Sequence, residues 1–241
     1  HPEDIASIKP KLNLPTAYAP IKGWKIAYSL DLGVFEVDNE VRANTLNALD
    51  VFRDLGAEVE DVDLNWPADV VAAGIDHLDH IFGVYIEQYL KEHGDLMTDY
   101  AREFALRGRQ SSARKYYHSI EVAGEMYRRF GPIVESHNLF VCPTNALAAV
   151  PSGHDQSRDT VTINGKIVDP LLGWVMTLPF NMLSRCPVLS MPTGRTRDNV
   201  PTGMQLVGAS YQDRDVFRAA MAYENAVGPG YTTAASRPQI A

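Results

Sequence analysis

The sequence predicts an α/β layered fold, and three patterns carry that prediction. Residues 24–62 alternate strand, helix and strand signals, residues 67–137 carry helical periodicity, and short apolar runs bounded by Pro, Gly or Asn recur at 139–142, 188–191 and 204–207. A usual domain has ~150 residues, so a chain of 241 residues is expected to form one large domain, or one with a sizeable subdomain. Its 45% hydrophobic and 22% charged residues are those of a globular chain with a packed core.

His1 to Gly23 holds four prolines and little periodicity, so residues 1–23 read as a linker or arm and 24–241 as the folded part. Trp24 to Tyr28 reads as a strand. Asp38 is placed to cap a helix whose apolar residues Val41, Ala48, Phe52 and Leu55 recur at helical spacing, with Gly56 ending it. Ala57 to Val62 alternates with period two, which completes a β-α-β unit with parallel strands. In the helical layer at about 67–137, Ile120, Ala123, Tyr127, Phe130 and Val134 form the expected buried stripe of the last of two to four helices. Leu139 to Cys142 reads as a buried strand, followed by a loop to Asp159 in which a site could open. Asn164-Gly165 lies between Val161-Thr162 and Lys166 to Val168 and signals a hairpin, since both residues tolerate positive φ. Val188 to Met191 and Met204 to Val207 are expected to be core strands. Asp213 is expected to cap a helix that buries Val216, Ala219, Ala220 and Tyr223 and ends at Gly228-Pro229-Gly230, ahead of a polar tail.

The charge balance excludes some functions. With 22 Lys+Arg against 30 Asp+Glu the net charge is −8, and no basic run is long enough to track a phosphate backbone, so a nucleic-acid partner is not expected. No apolar stretch reaches the ~20 residues needed to cross a bilayer, so no membrane partner is expected either. Two cysteines, Cys142 and Cys186, sit in apolar runs and fit reduced thiols of a cytoplasmic protein rather than a disulfide framework. Residue 1 is His, and nothing like a signal peptide follows it, so the numbered chain is expected to start away from an initiation site.

Three local patterns carry chemistry weakly. Asp76-His77-Leu78-Asp79-His80 places His and Asp pairs at i and i+3, where they could share a metal, but the spacing matches no zinc motif and equally describes a solvated helix face. Ser112-Ala113-Arg114-Lys115 matches Ser-x-x-Lys without its companion elements, and a serine at a helix start is usually a cap. Cys142 could pair with His137 or His154 as thiol and base, although a cysteine in an apolar strand usually serves packing. No metal, no cofactor and no catalytic residue is expected within the chain.

More specific is the run Pro179-Phe180-Asn181 to Cys186-Pro187-Val188-Leu189-Ser190-Met191-Pro192-Thr193-Gly194. It is followed by Pro201-Thr202-Gly203-Met204-Gln205-Leu206-Val207-Gly208, then Asp213 and Ala222-Tyr223-Glu224. This ordered set resembles the carboxy-terminal half of the amidase signature family, whose members share Pro-Phe-Asn, Pro-Ala-x-Ser-x-Pro-x-Gly and Pro-x-Gly-x-Gln-Leu-Val-Gly. Lys22-Gly23, Val37-Asp38, Leu55-Gly56 and Cys142-Pro143-Thr144 fall in the family's order, so the resemblance covers nearly the whole chain. It departs where Ser184 replaces a common Gly.

The resemblance implies a mixed β-sheet flanked by helices, with only the carboxy-terminal portion of the family fold present. It also implies amide C–N hydrolysis by a Ser, a second Ser with a cis peptide, and a Lys. Those residues belong to a Gly/Ser-rich segment of the amino-terminal half, and nothing like Gly-Gly-Ser-Ser-Gly-Gly occurs here. The implied partners are that amino-terminal half and a small-molecule amide substrate, and a homodimer is compatible with such an enzyme. The implied acyl-pocket wall comprises Cys142, Pro143, Thr144, Trp174, Phe180, Asn181 and Leu183. Asn181 has the strongest case for a polar role, with a buried, backbone-bonded asparagine as its alternative. The competing function is a non-catalytic binding module built on the same fold.

Overall fold

The computed structural model describes residues 1–5, 7, 11–156 and 158–228. Strand β1 (Lys25–Tyr28), helix α1 (Asn39–Asp54) and strand β2 (Glu58–Asp61) form the expected unit, with β1 and β2 parallel from Lys25↔Glu58 to Tyr28↔Asp61. Asp38 caps α1 by accepting from the backbone N–H of Glu40 at 2.8 Å, which satisfies one of the donors a helix start leaves free. Gly56 then turns the chain at φ +87, a left-handed value that favours glycine.

The helical layer is more broken than the periodicity predicts. Helix α2 (Val70–Leu78) runs through a π-helical turn at Asp79–Gly83 into α3 (Val84–Glu87), then α4 (Leu90–His93), α5 (Asp99–Gly108) and the long α6 (Ala113–Ser136). Helix α5 meets the π turn backbone to backbone: a Cβ on Gly108 would lie 2.3 Å from the Gly83 carbonyl carbon.

Strand β3 (Leu139–Pro143) is buried along its whole length and pairs parallel with β1. The hairpin β4 (Val161–Ile163) and β5 (Lys166–Val168) turns at Asn164 and Gly165, both at positive φ as its sequence requires. Asn164 Nδ2 donates to the Val37 carbonyl at 2.9 Å, so the hairpin is tied to the entry of α1. After the short α7 (Leu178–Met182) come β6 (Val188–Arg195), β7 (Pro201–Val207) and α8 (Asp213–Val227). Strand β7 pairs antiparallel with both β3 and β6, giving a mixed five-stranded sheet in the order β2-β1-β3-β7-β6.

Strand alternation divides the core between the two faces of this sheet. Ile26, Leu139, Val141, Met204 and Leu206 face α1 and α8, where Leu49, Phe52, Ala219 and Tyr223 cover them. Ala27, Phe140, Cys142 and Val207 face the opposite layer, where Met126, Phe130, Trp66 and Phe180 pack. The family fold resemblance is therefore matched by a mixed sheet flanked by helices.

Three expectations are corrected. The buried stripe of α6 is Ser119, Val122, Met126, Phe130 and Val134, displaced from the predicted one at its first three positions, and Ile120 and Tyr127 are exposed. The periodicity misleads here because Ile120 and Tyr127 are large apolar residues that do not face the core. Strand β6 is an edge rather than a core strand: Val188, Ser190, Pro192 and Arg195 are exposed, and the chain supplies no partner along its outer side among the described residues. Asp213 is the first residue of α8 rather than its cap, and Gln212 occupies the cap position without a side-chain bond. The break expected at Pro229-Gly230 and the polar tail lie outside the described residues. Within the arm, Asn13 and Ala19 accept from Arg214 Nη2 at 2.9 Å and Arg218 Nε at 2.8 Å, which lays this segment against α8.

Candidate active-site wall

Where β6 leaves the sheet face uncovered, a cleft of about 430 Å³ opens between α7 and the paired strands β6 and β7. Phe180 and Asn181 form one side, Val188 and Ser190 the other, Ser184 and Cys186 the end, and Gln205 the floor. Phe180 itself is buried, edge-on to Phe130 at 5.9 Å and Trp66 at 6.0 Å, so it anchors the five-residue helix and fixes the direction of its neighbour. Asn181 is exposed at the cleft, and its side chain makes no hydrogen bond among the described residues. The alternative of a buried, backbone-bonded asparagine does not hold.

Gln205 is held rigidly. The register places it opposite Cys142 on β3 and Ser190 on β6, so the three side chains share one face. Its Nε2 donates to the carbonyls of Pro143 and Met176, each at 3.0 Å, and contacts Cys142 Sγ at 3.3 Å. Two carbonyl acceptors fix the orientation of the carboxamide, which leaves Oε1 buried without a donor among the described residues. Beside it, Ser190 Oγ and Thr144 Oγ1 are 2.9 Å apart, and these residues border a second hollow of about 150 Å³ with Asn145 and Gly203.

The seven residues marked by the resemblance divide accordingly. Phe180 and Asn181 line the cleft, Thr144 the adjoining hollow, and Leu183 an apolar groove on the other side of the α7–β6 connection. Cys142 and Pro143 lie buried in β3 next to Gln205, and Trp174, part-buried, packs against the core and accepts from the Ala146 N–H through its carbonyl at 2.8 Å. The reading of single positions marked Ser184 only as a departure from a common Gly and passed over Ser190 and Gln205. Ser190 and Gln205 stood inside the Pro- and Gly-bracketed motifs but read there as strand residues, and their meeting depends on the β6–β7 register.

The cleft has little acid–base capacity. Its lining groups are hydroxyls, carboxamides and apolar side chains, and the thiol of Cys186 has its pKa pushed up by burial. Cys142 is fully buried and its thiol is likewise raised by desolvation, while His137 is engaged by the Ile133 carbonyl and His154 by that of Pro170. No thiol–imidazole pair forms among these residues. Ser112 caps α6 by accepting from the Lys115 N–H, and Lys115 Nζ bonds Asp76 at 3.0 Å, so the Ser-x-x-Lys pair is a helix start. Asp79 pairs with Arg107, His77 with Ser119 and His80 with Ser111, and no group of three or more His, Cys, Asp or Glu among the described residues is arranged to hold a metal. Among the described residues, no helix is long and apolar enough to cross a membrane.

A neutral hydrogen-bonding cleft built from the motif segments thus lies beside the edge strand of a mixed sheet. The chain belongs to the Amidase family, which it matches over residues 4–217. It is 28% identical over 206 residues to an acylamidase of Rhodococcus erythropolis, covering 85% of this chain and 42% of that protein. It is also 26% identical over 230 residues to a glutamyl-tRNA(Gln) amidotransferase component of Latilactobacillus sakei subsp. sakei (strain 23K), covering 86% of this chain and 45% of that protein. Among solved structures, a bacterial aryl acylamidase of the amidase signature family superposes with a TM-score of 0.74 at 29% identity, covering 86% of this chain and 44% of that one. The chain thus spans under half the length of each of these relatives.

Proposed function

We propose that this chain is the carboxy-terminal part of a serine amidase that hydrolyses a carboxylic amide C–N bond. In this reading a Ser, a cis-peptide Ser and a Lys in an amino-terminal half carry out the chemistry: the Lys accepts a proton through the second Ser, the first Ser attacks the amide carbonyl, and backbone amides hold the oxyanion. Residues 24–241 supply sheet and pocket wall, residues 1–23 a connecting arm, and the chain alone is inactive. The partners are the amino-terminal half and a small-molecule amide.

The observation that carries this reading is the cleft itself. Among the described residues, it presents the unpartnered carboxamide of Asn181 beside an unpaired sheet edge, and its lining of hydroxyls, carboxamides, one thiol and apolar side chains holds no carboxylate, imidazole or amine. Such a surface can orient a neutral amide and exclude water but needs a catalyst delivered from outside. The test is Asn181→Ala in the protein at its natural length. Release of amine or ammonia is expected to fall about tenfold or more in kcat/KM, equivalent to one lost substrate hydrogen bond, with the urea midpoint unchanged. An intact protein that releases nothing from any amide would sink the hydrolase reading in favour of a non-catalytic binding module.

A further inference from the structure

The connection between α7 and β6 contains one tight turn. The Cys186 N–H donates to the Leu183 carbonyl at 3.0 Å, which puts Ser184 and Arg185 at the two corners. The Arg185 carbonyl accepts from the Tyr211 N–H at 3.1 Å, so the root of this side chain is fixed while the residue is exposed. Arg185 Nη1 donates to Ser184 Oγ at 3.1 Å, and Ser184 lines the end of the cleft. The glycine that the family commonly has in place of Ser184 would offer no such acceptor. The hydroxyl therefore holds a guanidinium at the cleft end.

This cation is unlike the other arginines that border hollows. Arg102 and Arg158 pair with Asp99 and Asp155, and Arg218 donates to the Ala19 carbonyl. Among the described residues Arg185 makes no ion pair, and its one side-chain hydrogen bond engages one of five guanidinium donors. No carboxylate lines the cleft. In a chain of net charge −8, an unpaired guanidinium thus stands at the end of a neutral cleft, with its remaining donors open to an anion.

We propose that Arg185 is a specificity-determining residue that binds a carboxylate on the substrate, so that the preferred amides carry a carboxylate a few carbons from the amide group. The assignment rests on the amidase reading of the cleft. Asn181 and Ser184 line the same space of about 430 Å³, which holds a short chain with its amide at Asn181 and its anionic end toward Ser184 and Arg185. Ser184 acts as the positioning residue for the guanidinium.

The test measures binding to the protein at its natural length by ligand-observed NMR. Succinamate, glutaramate and adipamate are compared with butanamide, pentanamide and hexanamide, in which a methyl group replaces the carboxylate. The wild type is expected to bind the anionic member at least about tenfold more tightly at one or more of the three lengths, the scale of one charge-assisted hydrogen bond. Because Arg185 is exposed, added KCl is expected to shrink that preference. Arg185→Gln is expected to abolish the preference and Arg185→Glu to reverse it, with Tm unchanged in both. Equal binding within all three pairs by the wild type would overturn the proposal, as would a preference that survives in Arg185→Gln. Equal binding together with a lower Tm for Arg185→Gln would overturn it by assigning the guanidinium to a carboxylate of the amino-terminal half. Ammonia release from the same samples separates the two claims. A carboxylate preference without release keeps the role of Arg185 and removes the amidase reading, whereas release without the preference does the reverse.

Discussion

Gln205 on β7 reaches across to β3, where its Nε2 donates to the Pro143 carbonyl at 3.0 Å. With a second bond to the Met176 carbonyl, one buried side chain ties two strands and the loop before α7 together beneath the cleft. Replacing Gln205 by Leu leaves two carbonyls without this donor, each costing about 1–3 kcal/mol. Urea denaturation is expected to show a loss of about 2–4 kcal/mol. A loss under about half a kcal/mol would mean that water reaches these carbonyls.

Much of this framework was legible in the sequence because its signals are local. The cap at Asp38, the turn at Asn164-Gly165 and the buried face of α8 depend on residues a few positions apart, and each expectation matches the fold. The phase of α6 was not legible, because Ile120 and Tyr127 look like core residues until the sheet decides which face is covered. The edge position of β6 was hidden for a similar reason. Leu189 and Met191 read as core, whereas exposure of the strand depends on what lies beyond it in the sheet. The floor at Gln205 required the pairing of three strands distant in sequence.

The backbone contact between Gly83 and Gly108 leaves no room for a methyl group. Gly108→Ala is expected to lower stability by about 1–3 kcal/mol despite the better helix propensity of alanine, since the clash is with backbone. Thermal unfolding of Gly108→Ala beside Gly124→Ala checks this directly, because the second change meets open space and is expected to be neutral or stabilising.

His77 is half-buried against the Ser119 hydroxyl and the Tyr116 ring, and His80 stacks on that same ring. Burial first, and the charge of His80 second, hold its pKa below the ordinary histidine value. A depressed histidine binds its proton more readily when unfolded. Its contribution is therefore intact above the ordinary value of about 6.5 and is lost as pH falls through that value toward the folded one. Urea midpoints are expected to fall between about pH 7.5 and about pH 5.5, and His77→Gln is expected to flatten that slope. An identical slope in the variant would assign the effect to another group.

In the proposed division of labour, the wall of an amidase site lies in this chain and the nucleophile and base lie outside it. Steady-state release of amine or ammonia, measured in parallel on the isolated 26.7 kDa chain and on the protein at its natural length, tests that division most directly. The expected result is turnover by the natural-length protein and none by the isolated chain, with both preparations folded by circular dichroism. Turnover by the isolated chain at a comparable rate would contradict it and require a catalyst among residues 1–241.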